Sequence, residues 1–396
     1  MNINEADFTN NGLMNALLTT QAGGDAPMFD QMFKGLNLGS GVVGAAISGS
    51  EALRRNASFR TSIANGDFAA VARLLNTTNI GTVQPAGQII AGGTLRSSGL
   101  FPENFIVANP QFSTINYRNN SDSSKYHSLQ TQVTIRPTSG ITTQFTHTWS
   151  RATGVSGSTP DGGGITGDYR DLLNRNADYS VQANHRLHDF RGHGTFQLPF
   201  GSNKWIGRNT TGVIARLIEG WQFGTVFSVS SGAPLNVSGV NTIYANGTPD
   251  VVAPFSRKGN PAWTGVFGNY FGDQQYQRVP DPACAGVSPV LTLFCTKTAI
   301  ADASGKIVLQ NAKPGQLGGL GLRPIDGPGA WNLDANLVKK IRIAESRNLA
   351  VRIDAANLFN HPTLGNPNLD INSGTFGQIT TKNGFRTLAG QLRLEF

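Results

Sequence analysis

The sequence predicts an all-β fold, an antiparallel transmembrane β-barrel that is partial, with about seven or eight strands, long loops and short helices near the N-terminus. Three observations support this prediction. Segments of about ten residues alternate between apolar and polar side chains, short turns alternate with long connections, and charged residues are scarce. These patterns are typical of strands that have lipid on one side and water on the other.

The last eight residues, 389–396, show this alternation most clearly. If the segment is extended, Leu392, Leu394 and Phe396 point to one side and polar or charged residues point to the other. The chain then ends directly on an aromatic residue. This arrangement fits the closing strand of a barrel, although an edge strand of a soluble sheet gives the same local pattern.

The composition is compatible with a barrel and excludes a helical membrane protein. Charged residues make up 14% of the 396 residues, and hydrophobic residues make up 39%. A soluble domain usually contains about a quarter charged residues. No stretch approaches the roughly 18 consecutive apolar residues of a transmembrane helix, whereas a barrel strand needs only about 10 alternating residues.

The period of two predicts eight strand segments. They cover residues 126–137, 141–151, 179–187, 192–198, 217–231, 331–343, 347–360 and 386–396. Turns at 138–140, 189–191 and 344–346 are short, whereas 232–329 is very long. Such an asymmetry is typical of outer-membrane barrels, in which periplasmic turns are short and outer loops are long. Trp149 and Trp331 lie near strand ends and fit an interfacial girdle, or simply the high β-propensity of aromatic residues.

The chain divides into two regions. Residues 1–118 are predicted to be an irregular or helical insertion, or an outer loop of the barrel. Residues 119–396 carry the C-terminal barrel strands, with 232–329 as a long outer loop. Helical spacing of apolar residues in the first region predicts two short helices, one with Phe8, Leu13, Leu17 and Leu18 and one with Phe68, Val71, Leu74 and Leu75.

Cys284 and Cys295 are the two cysteines, and they lie eleven residues apart in the long loop. Two cysteines are too few for a zinc site of the usual spacing. A loop disulfide is plausible in an oxidising compartment, and two free thiols remain the alternative.

The net charge is +8, but the excess is scattered rather than gathered into a basic stripe with aromatic residues. We therefore expect no nucleic-acid partner. The first residues carry acidic side chains where a secretory signal would carry basic ones, and no apolar stretch follows. We expect that the chain begins inside a longer protein.

Catalytic motifs are missing from the sequence. It contains no Gly-x-Ser-x-Gly, no phosphate-binding loop and no His-Glu-x-x-His, so we expect neither an enzyme nor a cofactor. His185, His188 and His193 are close in sequence. A metal site is disfavoured, because the first two would lie on opposite strand faces and the third would lie beyond the predicted turn at 189–191.

Two groups of charged residues have structural interpretations. Asp161, Asp168 and Asp171 could bind calcium in a glycine-rich loop, but their spacing is not that of an EF-hand, and a flexible loop is favoured. On the polar strand faces, four residues are expected to pair with one another, namely Arg352, Asp354, Arg393 and Glu395.

Several short motifs together indicate a family resemblance. They occupy residues 126–130, 148–151, 196–201, 220–222, 231–235, 327–334, 357–362, 365–367 and 374–379. In this order and spacing, they make the chain resemble the C-terminal barrel portion of Oar-like TonB-dependent outer-membrane transporters, which contain a carboxypeptidase-regulatory-like domain. The likeness runs from about residue 4 to residue 396 and is strongest from Tyr126 onward.

The resemblance implies a location in the bacterial cell outer membrane and a full barrel of about 22 strands around a plug. Its implied partners are outer-membrane lipid, an unknown ligand and the TonB complex, which would act through a plug absent from this chain. The resemblance also implies that the barrel-assembly machinery recognises the terminal signal at Leu392, Leu394 and Phe396. Ligand would be captured at the outer loops.

Two other functions remain open at this point. The same barrel could be a platform for surface adhesion or matrix interaction. Alternatively, the chain could be a secreted glycan-binding β-protein, which would place its apolar strand faces inside the fold rather than toward lipid. Cleavage of a glycan would also need a pair of acidic residues on facing strands.

Overall fold

The computed structural model describes residues 12–77, 99–102, 104–107, 109, 122–138, 140–155, 170–171, 174–202, 204–240, 247–263, 268–272, 276–344 and 347–396. The described helices are α1 Leu13–Ala22, α2 Pro27–Met32, α3 Gly49–Arg55, α4 Arg60–Asn65, α5 Phe68–Thr77 and α6 Gly212–Ile218. Short 3-10 turns cover Arg175–Asp178, Pro282–Gly286 and Thr292–Phe294.

The described strands fall into long and short groups. The first five are β1 Ser124–Thr138, β2 Ile141–Val155, β3 Tyr179–Val181, β4 His188–Gln197 and β5 Trp221–Ser230. Eight short strands follow, namely β6 Pro234–Leu235, β7 Asp250–Val251, β8 Ala262–Trp263, β9 Gly268–Asn269, β10 Gln277–Pro280, β11 Thr298–Ala301, β12 Ile307–Gln310 and β13 Ile325–Asp326. The last six are β14 Ala330–Ala344, β15 Arg347–Ala356, β16 Thr363–Leu364, β17 Gln378–Ile379, β18 Lys382–Asn383 and β19 Thr387–Glu395.

One antiparallel sheet contains all the long strands, in the order β1-β2-β4-β5-β14-β15-β19, with β3 paired to β2. Consecutive long strands are neighbours, as in an up-and-down barrel wall. Among the described residues, the outer edges of β1 and β19 have no partner strand. Four smaller sheets are formed by the short strands.

The pairing register brings the apolar residues of successive strands to the same face. Val133 pairs with Phe145, Phe145 with Gly192, Gly192 with Phe227, and Phe227 with Leu333. Directly paired residues of antiparallel strands share a face. A Cβ at Gly192 would lie 2.6 Å from the Phe145 ring, so this position accommodates the two neighbouring phenylalanines because it has no side chain.

The opposite face carries the polar residues in the same continuous way. Gln132 pairs with Thr146, Thr146 with Arg191, Arg191 with Ser228, and Ser228 with Asn332. A slip of one residue in any strand would exchange its two faces. The register therefore gives this sheet one apolar face and one polar face across its whole width.

The apolar face is open rather than covered by a core. Leu129 in β1 is 61% exposed and Leu392 in β19 is 71% exposed. In β14 the positions of the apolar face run from Trp331 to Ile341, with Lys339 among them, which corresponds to about 33 Å along the strand at roughly 3.3 Å per residue. At a strand tilt of about 40°, this length matches the roughly 25 Å apolar band of a membrane barrel.

The two ends of the sheet differ. The end that we call the turn end holds the short β1–β2 and β14–β15 connections, the connection 198–220 and the C-terminal end of β19. Gly140 has a φ of 84° in the first of these turns, a value that glycine adopts without strain. The opposite end, the loop end, holds the connections 156–187, 231–329 and 357–386.

The N-terminal helices α1 to α5 form a compact group, which we call the helical layer. Its core contains fully buried phenylalanines, among them Phe29, Phe33 and Phe68. Two residues of the long connection, Val287 and Leu291, are buried in the same cluster. The long connection is thus packed against the N-terminal region through shared apolar side chains.

A second core, the loop layer, is built from the long connections at the loop end. It contains Val237, Phe271, Ile300 and Leu309 from 231–329, and Ile371 from 357–386. Backbone bonds of Ser238 with Leu369 and Ile371 join the two connections. Residues 232–329, predicted to be a long outer loop, therefore contain small sheets and a hydrophobic core.

Several predicted boundaries were wrong. Instead of a strand over 179–187, β3 has three residues and 182–187 forms a turn region. Residues 189–191 lie within β4 rather than in a turn. The sequence pattern missed this because Gly192 and Gly194 occupy positions where apolar residues would show the period of two. Residues 217–218 belong to α6, and β15 ends at Ala356 rather than at residue 360.

The two predicted helices are α1 and α5. Leu13 and Leu17 of α1 are fully buried, whereas Leu18 is partly exposed. Phe68 and Val71 of α5 are also fully buried. Phe8 lies outside the described residues. Among the helices that the structure describes, none is long and apolar enough to span a membrane.

Candidate ligand-binding site

A pocket of about 660 Å³ lies at the loop end, between the loop layer and the rim of the sheet. Its aromatic lining is Trp263 from β8, Tyr270 after β9, Trp331 from β14 and His361 after β15. We call it the rim pocket. Its volume lies within the range of small-molecule sites, and its mixture of aromatic walls and few polar groups is typical of them.

Two ring contacts shape the pocket walls. The Trp331 indole stacks on the His361 imidazole, with 4.1 Å between the ring centroids. The Lys382 ammonium lies over the Trp263 ring, 4.9 Å from its centroid. A positive charge above an aromatic face is attracted by the ring quadrupole, so this contact holds both side chains at the pocket wall.

Tyr270 connects the pocket to the buried core of the loop layer. Its hydroxyl donates a hydrogen bond to the backbone carbonyl of Asp326, and its ring lies directly against Gly259, where no side chain intervenes. Burial raises the pKa of the Tyr270 phenol, with the nearby Asp326 adding to the shift and a Gly259 hydrogen bond opposing it. Tyr270 therefore remains a protonated donor at neutral pH.

The rim pocket has a net positive lining. Lys258 and Lys382 contribute two cations, and Asp326 contributes one carboxylate. The Trp331 side chain belongs to the apolar face of the sheet, so one wall of the pocket continues the rim of that face. Such a site can bind a ligand that presents a ring or sugar face to the indoles and polar groups to the lysines.

A second recess, of about 470 Å³, lies on the polar face across β2, β4 and β5. Arg191 and Asp189 form an ion pair in it, with 2.8 Å between Nε and Oδ1. Gln144 and His193 line the same recess. We call it the polar groove. Its lining contains a cation, an anion and neutral hydrogen-bonding groups, as expected for a surface in contact with water.

Buried charges attach the loop layer to the strands at the loop end. The Arg170 guanidinium donates to Thr248 Oγ1 at 2.7 Å and to the Gly318 carbonyl at 3.1 Å. The Arg170 backbone N–H donates to the carboxylate of Asp178, which is 1% exposed. Burial raises the pKa of Asp178, and the hydrogen bond and charge of Arg170 oppose that shift. These bonds fix the position of the layer above the sheet.

The sequence-predicted histidines do not converge. The side chains of His188 and His147 meet on the apolar face, with 3.2 Å between His188 Nδ1 and His147 Nε2. His193 lies on the polar face. His185 is buried, and its Nδ1 accepts from the Ala152 N–H. No group of three metal-ligating side chains forms in the part of the chain that the structure describes. Asp161 and Asp168 lie outside the described residues.

The four predicted polar-face charges pair within strands rather than between them. Arg352 bonds Asp354 at 2.6 Å, and Arg393 lies 3.7 Å from Glu395. The prediction that these four residues pair with one another is therefore confirmed. Each pair joins residues two apart, which share a strand face.

Residues of the terminal stripe lie where the alternation predicts. Leu392 pairs with Val351 and Leu394 pairs with Leu349, on the apolar face. Phe396 follows the end of β19 and is exposed at the turn end. A role of this stripe in recognition by the barrel-assembly machinery stays a prediction.

The fold and its two-faced sheet agree with a comparison against protein families. The model described as "Outer membrane beta barrel domain" matches residues 69–389. The chain belongs to this family. The barrel domain is located in the bacterial outer membrane. A comparison with curated proteins found no match.

Membership in this family gives the two faces of the sheet their environments. In an outer-membrane barrel, the apolar face contacts lipid and the polar face lines the interior. Because the short turns of such barrels are periplasmic and the long loops are external, we expect the turn end to face the periplasm and the loop end to face outward. In that orientation the rim pocket would open at the outer surface, and the polar groove would lie in the barrel interior.

Cys284 and Cys295 are joined by a disulfide in the structure, with 5.7 Å between their Cα atoms, and Cys295 packs against the helical layer. We expect this disulfide in protein isolated from the outer membrane, since this compartment is oxidising. Peptide mapping after alkylation without reductant should recover one linked peptide pair. Alkylation of both cysteines in the unreduced, unfolded protein would contradict the prediction.

Proposed function

We propose that the chain is the barrel segment of a TonB-dependent outer-membrane receptor that takes up a ligand captured at its outer loops. The observation that carries this proposal is the rim pocket. A layer with its own core contains Tyr270, and Trp263 lies on strand β8 of that layer, paired with β9 and in contact with Lys382. Such preorganisation lowers the entropic cost of binding, which suits a receptor for a scarce solute.

The polar groove supports a route from the outer surface to the interior. It lies on the inner face of β2, β4 and β5, and its lining alternates between the charges of Arg191 and Asp189 and neutral donors such as Gln144. A solute that leaves the loops would meet this surface next. We propose no enzymatic step and no cofactor for this process.

The proposed receptor requires further strands and a plug. Open edges such as those of β1 and β19 are not tolerated in lipid, so both edges must pair before the barrel is closed. The family resemblance provides for about 22 strands in total and for a plug that contacts the TonB complex. The polar-face ion pairs of β15 and β19 are candidates to contact that plug.

A second candidate function is an adhesion platform, which the amount of folded chain at the loop end favours. A secreted glycan-binding protein is disfavoured, because Leu129 and Leu392 are exposed instead of enclosed. Of the acidic residues on the polar face, Asp334 accepts from the Asn357 N–H and Asp354 is paired with Arg352. Both carboxylates are therefore engaged in contacts within the sheet.

Uptake and adhesion can be separated in the native bacterium. Deletion of the gene and deletion of the TonB gene should leave the same compounds unconsumed in the culture medium, as measured by mass spectrometry. Wild-type protein should restore their consumption, whereas Trp263→Ala with Lys382→Ala should not. The matched control is Leu293→Ala with Lys313→Ala, an exposed apolar residue and an exposed lysine of the connection 231–329 that lie outside the rim pocket. A deletion strain that loses surface attachment but consumes all compounds normally would support the platform and contradict uptake.

A further inference from the structure

The connection 198–220 departs from the short turns at the periplasmic end of the sheet. It contains helix α6 and lies between β4 and β5. Gly207 and Ile218 are in contact across it, and Phe200 forms an isolated bridge with Ile206, so the described part of the connection is folded onto itself. We call residues 204–218 the periplasmic anchor segment.

This segment exposes an unusual amount of apolar surface. Trp205 is 86% exposed and Val213 is 74% exposed. Ile214 and Leu217 are also largely exposed, and with Val213 they occupy one side of α6. On the other side, Ala215 is buried. The exposed apolar side of α6, with the exposed Trp205 in the same folded connection, has the character of an interaction surface.

The segment is attached to the lipid-facing side of the sheet. Lys339 occupies the apolar face of β14, paired with Trp221, and its ammonium lies 5.5 Å from the Trp221 ring centroid. The same ammonium donates to the carbonyl of Arg216 at 2.8 Å and to that of Glu219. The C-terminal end of α6 therefore lies beside the sheet face that contacts lipid, at its periplasmic edge.

Charge points to the occupant of the apolar patch. Lys204, Arg208 and Arg216 are exposed cations in or beside the patch, against the single carboxylate of Glu219 between residues 199 and 220. An amphipathic helix with a cationic surround is suited to a membrane interface that contains anionic phospholipids. Exposed tryptophan is also typical of such interfaces.

We propose that residues 204–218 form an interfacial anchor, which inserts Trp205, Val213, Ile214 and Leu217 into the periplasmic leaflet of the outer membrane and binds anionic phospholipid headgroups through its cations. The partner is the lipid surface that the sheet already contacts, so the anchor extends an existing membrane interface. It would fix the depth of β4 and β5 in the membrane.

Cysteine accessibility tests the anchor in cells that carry the complete protein. We compare Val213→Cys, Ile214→Cys and Leu217→Cys with the exposed polar control Asn209→Cys, with the periplasm made accessible to a charged maleimide. Full burial of a side chain of this size changes an equilibrium by about tenfold or more. We therefore expect the three apolar positions to react about tenfold more slowly than Asn209→Cys, and to react readily with a lipophilic maleimide.

Equal rates for Val213→Cys and Asn209→Cys with the charged reagent would overturn the proposal, because the helix would then face water. Dimers formed by a short bifunctional maleimide at Val213→Cys would also overturn it, since a second copy would occupy the patch. The immunodetected level of each variant in the outer membrane shows whether it has assembled.

A direct contact with acyl chains is tested on purified protein in vesicles of phosphatidylethanolamine and phosphatidylglycerol. The fluorescence difference between wild type and Trp205→Phe isolates the emission of Trp205. Brominated acyl chains should quench this difference signal, and aqueous iodide should not. Quenching by iodide alone would place Trp205 in water and contradict the anchor.

Discussion

Val133→Arg is expected to destabilise the barrel domain by about 2–4 kcal/mol, the cost of an arginine on the lipid face near the middle of a membrane strand. Val133 lies in the apolar part of β1, between Leu129 and Ile135, and pairs with Phe145. Its side chain is 52% exposed, so the substitution removes few packing contacts within the protein. The penalty arises because the guanidinium must leave water or distort the lipid.

The neighbouring residue gives a matched control. Gln132 lies in the same strand, is exposed and points to the polar face, so Gln132→Arg should change the free energy of unfolding by less than about 1 kcal/mol. Urea unfolding of the protein in lipid vesicles measures both variants. An equal loss of stability in the two would show that the faces do not have lipid and water environments.

Leu291→Ala is expected to destabilise the helical layer by about 2–5 kcal/mol. Leu291 belongs to the long connection but is fully buried in the cluster formed by the helices. Truncation of its side chain removes apolar contacts with Val287 and with the helices, and leaves a cavity between two distant segments of the chain. The expected result is earlier proteolysis of residues 13–77 and a lower thermal midpoint of the helical signal.

Leu293 provides the control, two residues away in the same connection. Its side chain is 90% exposed, so Leu293→Ala should leave the thermal midpoint almost unchanged. Limited proteolysis followed by mass spectrometry measures where each variant is cut. Similar cleavage in wild type and Leu291→Ala would mean that the long connection does not support the helices.

The period of two in the sequence was sufficient to locate most of the long strands. In β1, β2 and β14 most large apolar residues fall on alternate positions of one face, and the predicted strands overlap the observed ones. The predicted strand began at residue 192, whereas β4 begins at His188, because Gly192 and Gly194 occupy positions where apolar residues would show the period of two. α6 was missed because Leu217 extended the alternating apolar pattern of β5 toward the N-terminus, into what the structure shows to be a helix.

The rim pocket could not be predicted from the sequence. Its lining comes from segments as far apart as Lys258 and Lys382, and no spacing connects them. Trp331 was noted only as a residue of an interfacial girdle. Contacts such as the Trp331–His361 stack depend on how the loop layer lies against the rim, which is set by long-range pairs such as Ser238 with Leu369.

The sequence by itself determined the two-faced strands and the asymmetry of their connections, because alternation along a strand is a local property that side-chain order encodes. Only the tertiary structure decided that the strand faces join into one apolar and one polar surface, since that result depends on the register of every pair. The tertiary structure also decided that the long connection 231–329 shares a core with the N-terminal helices. Burial of Leu291 among those helices is a contact between distant segments, and such contacts leave no periodic signal in irregular chain.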